Sequence, residues 1–147
     1  MVPFLEIQEE ILEKNSDKYR LLLYRRMMLR IANKIALDER AKAVITGEAL
    51  GQVASQTVEN LGAVDSVSKL PVFRPLIGLD KQEIINTGKK INTYSISIRP
   101  HEDCCTLFLP QKPATKSTPE KLDIEENKLD IQTMVNRAID NSEFFYF

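Results

Sequence analysis

The stretch from Leu22 to Gly47 constrains this chain more than any other. Tyr24, Met28, Ile31 and Ile35 recur at spacings of four, three and four, with Met27 beside them. That pattern predicts one long helix, from about Leu22 to Glu39, with a stripe facing a core. Directly after it, "AKAVITG" is a short β-branched run ended by Gly47, which reads as a buried strand. A long amphipathic helix feeding a buried strand belongs to an α/β layer fold.

The rest of the chain fits around that pair. Leu5 to Lys14 reads as a helix with Phe4, Ile7 and Ile11 on one face and glutamates towards water. After "EALG" a helix is expected from Gln52 or Ser55 to Leu61, closed by Gly62. "VFRPLIGLD" is irregular. Asp80 with Glu83 three residues on has the form of a capping box, and Gly88 stands where a glycine ends a helix. "TYSISI" alternates like an edge or half-buried strand. Residues 110–120 form a proline-rich loop or tether, and 121–147 a C-terminal helical segment whose face is Ile131, Met134, Val135 and Ala138. Two or three strands are few for such a sheet, so part of it is expected to be lacking.

At 147 residues the chain is one domain's worth. Its net charge of −1 supplies no global basic field for nucleic acid, so any RNA contact needs a local patch or another domain. The first residues lack the basic and apolar regions of a signal peptide, and no run of apolar residues suits a membrane span. The cytoplasm is the expected setting.

Chemistry concentrates in "RPHEDCCTLFLP", where both cysteines follow closely on the single histidine. A Cys104–Cys105 disulfide would be strained, because adjacent Cα atoms lie only ~3.8 Å apart. Zinc is disfavoured: neighbouring thiolates diverge, and no further Cys or His completes a tetrahedral set. No metal site is expected. A single reactive thiol and a pair of small buried hydrophobes remain about level. Cys104, on the polar side, is the better candidate thiol; Cys105, leading into "TLFLP", is the better packing residue.

Three segments carry a resemblance. "RRMMLRIA" (Arg25–Ala32), "TGEALGQVASQT" (Thr46–Thr57) and "RPLIGLDKQEI" (Arg74–Ile84), followed by "DCC", are similar in order and spacing to the tRNA 4-thiouridine synthetases, or tRNA sulfurtransferases. The resemblance runs to about Ala138. It implies a Rossmann-like, three-layer ATP-pyrophosphatase domain of adenine-nucleotide α-hydrolase type. Residues 1–147 would be its distal part, lacking the first strand and the phosphate loop. The implied activity is ATP-dependent sulfur transfer: a tRNA uridine is adenylated, then a cysteine desulfurase supplies persulfide sulfur. Sulfur supply to the thiamine thiazole is a second implied role.

Carried onto matching positions, the resemblance makes Arg25, Gly47 and Gln56 contacts to ATP, bound with Mg2+. It puts Lys81 in the adenylation step and makes Cys104 the sulfur-handling thiol. Each residue also has a plainer reading. Arg25 would be a stem snorkelling over the core, Gly47 a turn, Gln56 a polar residue in a first helical turn and Lys81 a solvated lysine. Arg26 and Arg30 point away from the stripe, and with Lys34 they read as a solvated face rather than an RNA patch. The chain alone is expected to bind ATP weakly and to thiolate nothing, and its unprotected sheet edge favours a homodimer. The competing reading is a non-catalytic scaffold that docks a desulfurase or another subunit.

Overall fold

The computed structural model describes residues 1–100 and 108–145. A 19-residue helix at its centre decides the architecture. Helix α2 (Arg20–Asp38) follows α1 (Leu5–Lys14) through a short 3-10 turn, Asp17–Tyr19. Leu22, Leu23, Tyr24, Met27, Leu29 and Ile31 are all buried, so α2 is apolar around much of its circumference and takes neighbours on several sides. Those neighbours are α1, α3 (Val58–Asp65), α6 (Pro119–Glu126) and α7 (Ile131–Asp140). Ile7 and Ile11 of α1 join the core, and Phe4 meets Tyr24 edge to face with ring centroids 6.1 Å apart. Leu122, Met134, Val135 and Ala138 close it from the C-terminal side. The predicted face of α7 is thus the packed one.

The sheet is small. Strands β1 (Val44–Ile45) and β2 (Val72–Phe73) run parallel, pairing Val44 with Val72 and Ile45 with Phe73. A parallel pair needs a crossover, and α3 supplies it. The buried Asn33 side chain steers the return. Its amide donates to the Leu29 carbonyl, while its Oδ1 accepts from the backbone N–H groups of Lys69 and Leu70 at 2.7 and 3.0 Å. Val44 and Val72 pack against the core, and Ile45 and Phe73, on the opposite face, are 70% and 58% exposed. The expected buried strand is therefore half open, because among the described residues nothing covers its second face.

Other boundaries also differ from the sequence reading. Helix α3 starts later, after Thr57, whose hydroxyl accepts from the Asn60 N–H, and it runs through Gly62 to Asp65. Helix α4 (Lys81–Lys90) has the expected capping box but passes through Gly88; Asn92, at φ +59°, makes the turn instead. "TYSISI" is not a strand. It holds the short helix α5 (Tyr94–Ser97), since Thr93 accepts from the N–H groups of Ile96 and Ser97 and, among the described residues, no strand lies alongside to pair with it. Helices α4 and α5 bury none of their residues and pack on each other.

The solvated arginine face is overturned as well. The Arg26 side chain is 3% exposed and pairs with Asp123 at 2.6 Å, and Arg30 grips Glu126 with both terminal nitrogens. Helix α6 covers this flank of α2; of the three, Lys34 keeps the most open side chain, 42% exposed. No helix among the described residues is long and apolar enough to cross a membrane.

Candidate functional site

Both strands end on the same side of the sheet, so the loops that follow them share one space. In parallel sheets that end is where ligands collect, because successive loops converge there without strands between them. Thr46 to Thr57 follows β1, and Arg74 to Asp80 follows β2. The Leu50 N–H donates to the Ile77 carbonyl at 3.0 Å and ties the two loops together. Arg25 reaches in from α2, where its guanidinium donates to the Ser55 hydroxyl at 2.9 Å and pairs with Glu48 at 2.6 Å.

Glu48 is the hub. One carboxylate oxygen faces Arg25; the other takes Arg74 Nε at 2.6 Å and the Thr46 hydroxyl at 2.8 Å. Arg74 continues to Asp65, at the end of α3, through two bonds of 2.9 and 2.5 Å. Burial works against the Arg74 charge, but Asp65 and Glu48 outweigh it and hold its pKa above the usual arginine value. Arg25, Glu48, Arg74 and Asp65 thus form a chain of alternating charges through α2, both loops and α3.

Gln56 lies in the same loop. Its backbone carbonyl accepts from the N–H of Gly51, which turns the chain at φ +73°, and its N–H donates to the Val53 carbonyl. Asn60 and Thr57 pin the end of the loop to the Ala114 and Thr115 carbonyls. The Gln56 Oε1 is buried and accepts no hydrogen bond among the described residues. Such an orphaned acceptor is costly unless a ligand donates to it. Gly47 has open space where a Cβ would stand, so no packing neighbour demands glycine there. The remaining N–H groups of Arg25 also have no partner among the described residues. Orphaned acceptor, spare guanidinium donors and open backbone suit a nucleotide.

Lys81 is exposed at the first turn of α4 and makes no ion pair among the described residues. Asp80 caps that helix, accepting from the Glu83 N–H, while Glu83 returns the bond, both at 2.8 Å. Cys104 and Cys105 lie outside the described residues, so the site as described brings together Arg25, Gly47 and Gln56, with Lys81 beyond the Ile77 tie. Glu48, Arg74, Asp65 and Ser55 were missed in the sequence. A signal existed for two of them, Arg74 one residue and Glu48 three residues beyond short apolar runs where strands end.

A family model described as Thiamine biosynthesis protein (ThiI) matches residues 1–131. The chain belongs to the ThiI family. A probable tRNA sulfurtransferase of Caldanaerobacter subterraneus subsp. tengcongensis is 53% identical to it over 97% of this chain and 37% of the relative. One of Bacillus licheniformis is 48% identical over 97% and 36%, and one of Clostridium perfringens 46% identical over 100% and 38%. Among solved structures, a 4-thiouridine synthetase in complex with RNA and bound ATP superposes with a TM-score of 0.90. It is 45% identical, covering 97% of this chain and 37% of that one. The chain thus spans a little over a third of the length of these ThiI relatives.

Proposed function

We propose that this chain forms the distal part of an ATP-pyrophosphatase domain serving ATP-dependent sulfur transfer to tRNA, giving 4-thiouridine. The observation that carries the reading is the buried Gln56 side-chain carbonyl, unpartnered among the described residues, in the loop that holds Gly47 and meets Arg25 at the carboxyl ends of the paired strands. The bound ATP and RNA of the similar synthetase complex support it.

In this reading Gln56 Oε1 accepts from the adenine amino group, Arg25 holds a phosphate or the ring with its spare donors, and the Gly47 backbone lets the nucleotide approach. ATP, with Mg2+, supplies the adenylyl group that activates the uridine. Lys81, at the positive end of α4, stabilises charge on the departing pyrophosphate. The Cys104 thiolate attacks the outer sulfur of a desulfurase persulfide, whose inner sulfur leaves as a thiolate; Cys104 gains one sulfur without net oxidation. The phosphate loop, the first strand and the main RNA-binding surface are assigned to the portion of the relatives outside this span. The third layer would lie over Ile45 and Phe73, and two copies pairing along the unprotected edge of the sheet is the homodimer route. A cytoplasmic setting and sulfur supply for thiamine follow the same reading.

The test rests on adenine chemistry. Adenine offers an amino donor where guanine offers a carbonyl, so a lone acceptor separates the two. Calorimetric titration of the chain is expected to show weak ATP binding, at least about ten-fold tighter than GTP, with the preference lost in Gln56→Ala. Equal binding of both nucleotides, or none of either, would sink the reading. Mass spectrometry after incubation with a cysteine desulfurase and cysteine should show one added sulfur on Cys104 and none on Cys105.

A further inference from the structure

We propose that Glu48 is a positioning residue that fixes the Arg25 guanidinium for the nucleotide and couples it to the loop after β2. This rests on the nucleotide reading of the site.

Arg25 and Arg74 come from different elements, and each faces its own oxygen of the Glu48 carboxylate at 2.6 Å. Without that carboxylate two guanidinium groups would share a small, largely buried volume as like charges. The Glu48 side chain is 8% exposed, so water screens the pairing little. Its second oxygen also takes the Thr46 hydroxyl, one residue before Gly47, so the same carboxylate shapes the backbone at the strand end. The Ser55 hydroxyl accepts from the other terminal nitrogen of Arg25, one residue before Gln56. Arg25 is therefore held at two points, each adjacent in sequence to a residue assigned to the ligand. A phosphate could use its remaining donors without displacing Glu48, and the ordering cost of the arginine is met before binding.

The arrangement predicts coupling, which simple structural support does not. Glu48→Gln is expected to weaken ATP binding about ten-fold in the native background and to have no further effect in the Arg25→Ala background. Ser55→Ala, which leaves every charge in place, should give a smaller loss, about three-fold, also absent without Arg25. Solvent exchange of the Arg25 guanidinium protons, read by 15N NMR without nucleotide, should quicken in both variants. If Glu48→Gln fails to fold by circular dichroism, Ser55→Ala and Glu48→Asp carry the cycle. An equal loss of affinity with and without Arg25, or unchanged Arg25 signals, would overturn the positioning role while leaving the nucleotide site standing. No ATP binding by the native chain would remove the nucleotide reading and this proposal together.

Discussion

The two sides of this molecule handle apolar surface in opposite ways. Around α2, the side chains of Leu22, Leu23, Tyr24 and Met27 are almost wholly enclosed by α1, α6 and α7. On the sheet side Ile45 and Phe73 stand open, and along α4 and α5 Ile91, Ile96 and Ile98 are each about 60% exposed. The helical side completes its own core; the sheet side presents a face that a further layer would complete. The candidate site lies on the seam. Arg25 is rooted in the closed half and projects into loops of the open half, so a helix packed in the core aims a side chain into them.

Hollowing out the closed half should have the largest effect. Leu23→Ala, in the first turn of α2 and fully enclosed by the core, should cost about 2–5 kcal/mol in urea unfolding. A cost under about 1 kcal/mol would mean that stability does not reside there.

Acid should act on the same half through the turn between α1 and α2. Burial disfavours the ionised form of Glu125, but Lys128 and the donors of Asn15 and Ser16 outweigh it and bring its pKa from 4.5 to about 2. A depressed carboxylate pKa stabilises the fold above the unfolded value. That contribution, reduced by solvent screening, should therefore be lost as pH falls from about 4.5 towards 2. Glu125→Gln should flatten this part of the stability–pH curve; an unchanged curve would remove Glu125 from the account.

The smallest effect belongs to the open half. Ile45→Thr should change the stability of the chain by no more than about 0.5 kcal/mol, because the isoleucine is already solvated. The same substitution should reduce self-association seen by light scattering if the exposed sheet pairs two copies. A large loss of stability with no change in association would show that this face is already closed in solution.

Much of the closed half was legible in the sequence. Local periodicity found α1 to the residue and α2 to within two, because an amphipathic helix writes its buried face at fixed intervals. The Asp80–Glu83 box was legible for the same reason: it is closed between residues three apart. "TYSISI" misled because alternation describes a strand only where a neighbour exists to pair with it, and here Thr93 starts a helical turn instead. Arg26 misled because α6 covers it from 97 residues away. Of the site, the resemblance named Arg25, Gly47 and Gln56, yet neither it nor the pattern named Glu48 or Arg74 as their link.

The residue pattern alone specified α1, α2, α7 and the Asp80–Glu83 cap, since each depends on forces acting over a few residues. Long-range packing settled which arginine is buried, which strand face stays open and which carboxylate joins Arg25 to Arg74. Those outcomes depend on segments far apart in the chain competing to cover the same side of α2 and the same end of the sheet.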